Sequence, residues 1–73
     1  MKLTQREQEV LDLVVQGFTN KQIAEKLFLS SSTIKTNVQS ILRKLKVKNR
    51  IQAAVLVTKR EMKKSQNLFL RFL

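Results

Sequence analysis

Residues 30–45, SSSTIKTNVQSILRKL, decide the fold of this chain. Apolar side chains recur through this stretch at helical spacing and fall within an arc of about 100° on a helical wheel. These side chains are Ile34, Val38, Ile41, Leu42 and Leu45. The pattern predicts a helix over residues 31–45 that packs one face on a core, and its other face raises the question of function.

The opposite face of this helix carries hydroxyl, amide and cationic groups and no acid. Its members are Ser32, Thr36, Gln39, Ser40 and Arg43, with Lys35 and Lys44 at the two edges. A face that only meets solvent usually mixes Glu with Lys at four-residue spacing, because each such pair adds about 0.2–0.5 kcal/mol. Hydroxyls and amides framed by cations are suited to base edges and phosphate oxygens. The face is therefore typical of a helix that reads the major groove of DNA.

The charge of the chain is strongly unbalanced. Its 73 residues include 15 Lys and Arg against 5 Asp and Glu, which gives a formal net charge of +10. No acid lies between Glu25 and Glu61, although cations are frequent there. A cationic middle of this kind predicts a polyanionic partner, either nucleic acid or an anionic membrane surface. A solvated basic face without a partner is the plain alternative.

The composition excludes several classes of function. The chain has no cysteine and no histidine, which excludes a disulfide framework, thiolate or imidazole metal sites, and any catalytic triad with a histidine base. Its few carboxylates are scattered over predicted helix surfaces, without the apolar surroundings that acid–base catalysis uses, so we expect no enzyme, no cofactor and no small-molecule ligand. No run approaches the roughly 20 apolar residues of a membrane span, and no signal-peptide core follows Met1.

Capping signals locate the first two helices. Thr4 with Glu7, and Thr19 with Gln22, have the spacing of capping boxes, in which two side chains satisfy the free amides of a helix start. Gly17 is placed to end the first helix, because glycine adopts the left-handed conformation without strain. Apolar periodicity follows each box.

Ser30 and Asn49 are the candidate caps of the last two helices. The sequence therefore predicts an all-α fold with four helices at about 5–16, 20–27, 31–45 and 50–64. Only three or four residues separate the second helix from the third. A connection that short forces a sharp crossing, which is the helix-turn-helix arrangement.

The fourth predicted helix is apolar on two sides, whereas a surface helix in a monomer needs only one apolar stripe. We assign the side with Ala53, Leu56 and Val57 to the core of the domain. The other side is then predicted to meet a second copy of the chain. Its members are Ile51, Ala54, Val55, Thr58 and Met62. The plain alternative is that the domain and its apolar end bury both stripes.

Four spaced motifs resemble the LuxR/GerE-type DNA-binding domain of bacterial transcription regulators. They are L-T-x-R-E at 3–7, G-x-T-N-K-x-I-A at 17–24, S-x-x-T-I-K-x-N at 30–37 and K-L-x-V-x-x-R-x-x-A at 44–53. The resemblance covers roughly residues 3–60. It implies a helix-turn-helix over residues 20–39, and a homodimer that binds a two-fold related operator on double-stranded DNA. It also implies a location in the bacterial cytoplasm.

Position by position, the resemblance implies two sets of DNA contacts. The expected base contacts are Lys35, Thr36 and Gln39. The expected backbone contacts are Lys21, Ser32, Thr33, Asn37 and Arg43. Family members most often have His where this chain has Asn37, and Asn is smaller and never cationic, which predicts a weaker phosphate contact. Glu7 and Arg50 match a charged pair that is common in the family and is expected to tie helix one to the segment before helix four.

The predicted domain covers residues 1–62, and residues 63–73 form a C-terminal tail that departs from the family pattern. Its apolar end, LFLRFL, suits an extension of helix four onto a partner, a clasp over the core or a disordered tail. Family members usually carry this domain at the end of a longer chain. The sequence is compatible both with a stand-alone regulator and with an excised fragment of a longer one. RNA polymerase is a further candidate partner.

Three alternatives stand beside this interpretation. A cationic helical protein on a membrane surface would also be basic and amphipathic, but four capped short helices argue against it. A protein-interaction module would differ in lacking salt-dependent DNA retention. A module like region four of a sigma factor shares the helix-turn-helix but fits the motifs less well. The sequence leaves the operator, the target genes, the controlling signal and the direction of regulation open.

Overall fold

Four helices make up the part of the chain that the structure, a computed structural model, describes: the backbone of residues 2–71 and the side chains of residues 2–60. The helices are α1 (Gln5–Val15), α2 (Asn20–Leu27), α3 (Ser31–Leu45) and α4 (Arg50–Arg71). The described backbone contains no strand, and the all-α prediction is confirmed. The bounds of α1, α2 and α3 agree with the predicted ones to within a residue, whereas α4 continues past the predicted end at residue 64.

Both predicted capping boxes are present. The Glu7 amide donates to Thr4 Oγ1 at 3.1 Å, and Glu7 Oε1 accepts from the Thr4 amide at 2.8 Å. The Gln22 amide likewise donates to Thr19 Oγ1 at 3.2 Å, and Gln22 Oε1 accepts from the Thr19 amide at 2.9 Å. These bonds satisfy amides that have no partner within the helix, so they fix where α1 and α2 begin.

The caps of α3 and α4 are also formed. Ser30 Oγ accepts from the Thr33 amide at 3.2 Å, and Asn49 Oδ1 accepts from the Gln52 amide at 2.9 Å. Gln52 Oε1 accepts from the amide of Lys48, the residue before the cap, at 2.8 Å. Asn49 and Gln52 therefore fix the start of α4 by two hydrogen bonds, one to the amide of Gln52 and one to the amide of Lys48.

Left-handed residues follow the first three helices. Gly17, after α1, has φ +93°, in agreement with the left-handed conformation that was predicted for it. Phe28 and Lys46 have φ 57° and 58°, a conformation that costs roughly 1–2 kcal/mol for a residue with a Cβ atom. After Phe28, the Leu29 amide returns to the Ala24 carbonyl at 2.9 Å. This bond turns the chain sharply between α2 and α3, at the expense of strain in Phe28.

One core cluster joins all four helices. Its buried apolar members are Val10, Leu11, Val14, Ile23, Ala24, Ile34, Val38, Ile41 and Ala53. Leu42 and Leu45 are partly buried against this cluster, so the predicted apolar face of α3 lies on the core. On α4, Ala53 is buried and Val57 packs against the cluster. Two of the three residues that the sequence assigned to the core therefore lie on it, whereas Leu56 is half-buried and is not among the residues that pack against the cluster.

Arg50, the first residue of α4, fastens that helix to the start of α2. Its Nη1 donates to Asn20 Oδ1 at 2.6 Å and its Nη2 donates to the Phe18 carbonyl at 2.7 Å. The expected partnership of Glu7 with Arg50 is wrong, because Glu7 is bonded to Lys44 of α3 instead. The guanidinium thus joins α4 directly to the helix-turn-helix.

Candidate nucleic-acid interface

The connection between α2 and α3 contains only Phe28, Leu29 and Ser30. Leu29 is partly buried against the core, whereas Phe28 is 93% exposed. The buried Ile23 of α2 and Ile34 of α3 belong to the same core cluster. The two helices therefore turn their apolar sides inward together, and the polar face of α3 is left at the surface.

The three predicted base-contact residues are all exposed on that face of α3; they are Lys35, Thr36 and Gln39. At a rise of about 1.5 Å per residue, they span roughly 6 Å along the helix axis, or about one turn. Thr36 Oγ1 donates to the Ser32 carbonyl at 3.1 Å, which leaves the oxygen lone pairs of that hydroxyl to accept. Lys35 thus offers a cation, Gln39 an amide and Thr36 an acceptor to one approaching surface.

The hydroxyls at the start of α3 form a small cluster. Ser30 Oγ lies 3.1 Å from Ser32 Oγ and 2.8 Å from Thr33 Oγ1. All three residues are exposed. Helix starts present free amides and the positive end of the helix dipole, so this cluster lies where a phosphate oxygen is favoured.

The remaining predicted backbone contacts are spread around the α2–α3 unit. Lys21 is exposed in the first turn of α2, and Arg43 is exposed near the end of α3. Asn37 is only partly accessible, which limits how far its short amide reaches outward. Exposed cations therefore lie at the start of α2 and near the end of α3, and the side chain of Asn37 is less accessible to a phosphate than the sequence implied.

Ser40 and Lys44 correct the sequence-based assignment of the polar face, because α1 engages both of them. Ser40 Oγ donates to Glu7 Oε2 at 2.6 Å, and Lys44 Nζ donates to Glu7 Oε1 at 2.6 Å. The Glu7 residue is only 6% exposed. The open face of α3 is therefore narrower than the helical wheel suggested.

The Glu7 carboxylate is strongly stabilised in its charged form. The hydrogen bond from Lys44, followed by those from Ser40 and the Thr4 amide, lowers the pKa of Glu7 from 4.5 to about 2. Burial acts in the opposite direction and is outweighed. The capping role of Glu7 is visible in the sequence, whereas its bonds to α3 were not predicted, because they join residues more than thirty positions apart and leave no local signal.

The α4 side that was predicted to meet a second copy of the chain is mostly open. Ile51 is 72% exposed and Val55 is 47% exposed. Thr58 is exposed as well, while Ala54 is partly buried. The side chain of Met62 lies outside the described residues. An apolar strip thus remains uncovered on the part of α4 whose side chains are described.

The same part of the chain lacks the features of two other classes of site. None of its helices combines the length and apolar character that crossing a membrane requires. No three carboxylates within it lie together as a metal-binding group. Every buried side-chain nitrogen or oxygen in the described range has a hydrogen-bond partner.

Comparisons with known proteins agree with this geometry. The family described as "Bacterial regulatory proteins, luxR family" matches residues 1–57. The transcriptional regulatory protein LiaR of Bacillus subtilis is 53% identical over 53 residues, which is 73% of this chain and 25% of LiaR. The nitrate/nitrite response regulator protein NarL of Escherichia coli is 46% identical over 56 residues, which is 77% of this chain and 26% of NarL. The matched part of the chain thus corresponds to about a quarter of each relative.

Two solved structures share the fold. A crystal structure of the anti-activator RapF complexed with the DNA-binding domain of the response regulator ComA contains a chain that matches with a TM-score of 0.75 and 40% identity. The match covers 78% of this chain and 98% of that one. The response regulator ChrA of a heme-sensing two-component system matches with a TM-score of 0.76 and 39% identity, over 84% of this chain and 30% of ChrA.

Proposed function

The chain belongs to the luxR family of bacterial regulatory proteins, and we propose that it binds specific double-stranded DNA sequences as a dimer, with α3 in the major groove. Its relatives are transcription regulators rather than enzymes, and the chain is a helix-turn-helix DNA-binding domain of that family. The observation that carries the finer proposal is the acid-free, exposed face of α3 with Lys35, Thr36 and Gln39.

In this proposal the accessible and partly accessible side chains of α2 and α3 divide into two roles. Lys35 and Gln39 donate to base edges, and Thr36 offers its oxygen, so these three determine which sequence is preferred. Lys21 and Arg43, together with the Ser32 and Thr33 hydroxyls and Asn37, hold phosphates and set the position of α3 in the groove. The phosphate contacts supply most of the affinity and make it depend on salt.

The proposed dimer forms through the open apolar side of α4. Its exposed members, Ile51 and Val55, are flanked by Ala54 and Thr58, and Met62 continues the same side in sequence. An interface of this size is small, below about 1,200 Å² in total, so dimerisation is weak in solution and is reinforced when two half-sites hold the subunits together. The two-fold axis of the pair would match a two-fold related operator.

A second role, in binding regulatory proteins, is supported by the RapF complex, in which an anti-activator is complexed with the DNA-binding domain of ComA. RNA polymerase is another candidate partner, and the bacterial cytoplasm is the expected location for all of these interactions. Retention on DNA that falls steeply with salt distinguishes the DNA-binding role from a purely protein-binding one.

The experiment that tests the proposal selects preferred duplexes from a random library and then compares two variants on them. Gln39→Ala should relax the preference at one base pair in each half-site, by about 1–3 kcal/mol. Lys21→Ala should weaken binding to all sequences and reduce the salt slope by about one unit. Equal scaling of every sequence by both variants would refute the assignment of base readout to α3.

A further inference from the structure

Glu7 neutralises one of the cations on α3 from a different helix. Lys44 Nζ lies 2.6 Å from Glu7 Oε1, and the two side chains are 19% and 8% exposed. The other ion pair of the described residues joins Arg6 to Glu9, within α1. α3 has no acid of its own, and Glu7 of α1 supplies the carboxylate that pairs with Lys44.

Lys44 differs in this respect from the other cations of its helix. Lys35 and Arg43 are exposed, and the ion pairs found within residues 2–60 include neither of them. Lys44 is only partly accessible and points to α1. Ser40, one turn earlier on the same side, donates to the second oxygen of the same carboxylate. The Glu7 carboxylate thus bonds to two successive turns of α3, and it pairs with the Lys44 ammonium group on the later turn.

We infer that Glu7 is a positioning residue that raises the DNA specificity of this domain by holding Lys44 away from the phosphates. The inference rests on the proposed DNA-binding function and adds a residue that touches neither bases nor phosphates. Its bonds to Ser40 and Lys44 also fix the rotation of α3 about its axis, which directs Gln39 at the bases.

The physical reason lies in the difference between specific and non-specific binding. Non-specific affinity is almost entirely electrostatic, and each phosphate contact adds about 0.9 to the slope of log K against log salt. A cation that any phosphate can attract strengthens binding to every sequence and so lowers the ratio of specific to non-specific affinity. A paired Lys44 adds no such contact, whereas the base contacts of α3 keep their full contribution.

The test measures the salt dependence of binding to a scrambled duplex and to a selected duplex. Glu7→Gln keeps the size of the side chain and its capping oxygen but removes the charge. It should steepen the slope on the scrambled duplex by up to about 0.9 and lower the specificity ratio. Lys44→Met should leave that slope unchanged, and the double variant should return to the wild-type slope.

Arg43→Met is the matched control, because Arg43 is the neighbouring exposed cation. It should reduce the slope by about 0.9, which shows that the assay detects a single lost phosphate contact. A Lys44→Met variant that loses as much slope as Arg43→Met would overturn the inference, as would a folded Glu7→Gln variant with the wild-type slope. Circular dichroism establishes folding. If either single variant does not fold, the double variant, which leaves no buried charge unpaired, decides: the wild-type slope supports the inference, and a loss of about 0.9 overturns it.

The wild-type protein separates this inference from the proposed function. A wild-type chain that does not prefer the selected duplex over the scrambled one would refute the proposed function before any variant is compared. A wild-type chain that does prefer it, combined with unchanged salt slopes in a folded Glu7→Gln variant, would refute only the role of Glu7.

Discussion

The substitution Ile51→Glu tests the proposed dimer with little expected cost to the monomer. Ile51 is 72% exposed, so only about a quarter of its side chain contributes to the core. Full burial of an isoleucine is worth about 1.5–3 kcal/mol, which puts the loss at roughly 0.4–0.8 kcal/mol. A glutamate in the first turn of α4 gains about 0.3–1 kcal/mol from the helix dipole. The thermal midpoint should therefore change by no more than about 4–8 °C.

The effect on the dimer should be much larger. If the second copy covers the exposed part of Ile51, each subunit loses about 1.1–2.2 kcal/mol of apolar burial, and the pair loses roughly twice that. The affinity for a two-site duplex should therefore fall by up to roughly 30- to 1,000-fold, while the affinity for a duplex with one half-site serves as the reference. Fluorescence anisotropy on the two duplexes measures this ratio.

Gln52→Glu is the matched control for Ile51→Glu. It adds the same charge one residue later, on a side of α4 that points about 100° away from Ile51, and the new carboxylate still accepts from the Lys48 amide. Both variants repel DNA to a similar extent, so a difference between them reports the dimer. Full two-site cooperativity in a folded Ile51→Glu variant would remove this side of α4 from the interface.

Four further predictions concern individual residues. Val55→Glu, at a position that is 47% exposed, should leave the domain folded with a loss of about 1 kcal/mol and abolish two-site cooperativity; outright unfolding would place Val55 in the core. Gly17→Ala should destabilise by about 1–2 kcal/mol in denaturant unfolding, since φ is +93° and no atom obstructs the new Cβ. Phe28→Gly should stabilise by up to about 1 kcal/mol in the same assay, because the ring is 93% exposed. The lowered pKa of Glu7 stabilises the fold fully above pH 4.5, the ordinary pKa of the group, and this stabilisation is lost as the pH falls toward about 2. The thermal midpoint of Glu7→Gln should therefore fall less than that of the wild type between pH 4.5 and about 2.

Local signals in the sequence were enough to place the helix starts and one of the turns. Thr4 and Thr19 specify their helices through residues three positions away, and Gly17 marks the end of α1 by its own backbone preference. Phe28 and Lys46 adopt the left-handed conformation although neither residue favours it. Their turns are imposed by the packing of the helices that they join, which no local pattern reveals.

The polar face of α3 was predicted in part. Lys35, Thr36 and Gln39 are exposed as the helical wheel indicated. Ser40 and Lys44 were assigned to the same open face, because a wheel does not show from which side α1 will pack. The predicted end of α4 at residue 64 was too early, and the helix extension that the sequence left open for the tail is present in the backbone to Arg71, where no glycine or proline interrupts it. The contacts with DNA and with a second subunit stay predictions.

The bonds of Arg50 are the first of several contacts that fix α4 to the rest of the domain. The 22 residues of this helix give it a length of about 33 Å, and the guanidinium holds its first turn to Asn20 and the Phe18 carbonyl. Ala53 is buried and Val57 packs against the core one and two turns further on, so α4 is fixed to the domain along its first two turns and does not turn about Arg50 alone. If two copies meet along α4 as proposed, the angle between their α3 helices would therefore be set by the interface, and the pair would suit operators with one half-site spacing.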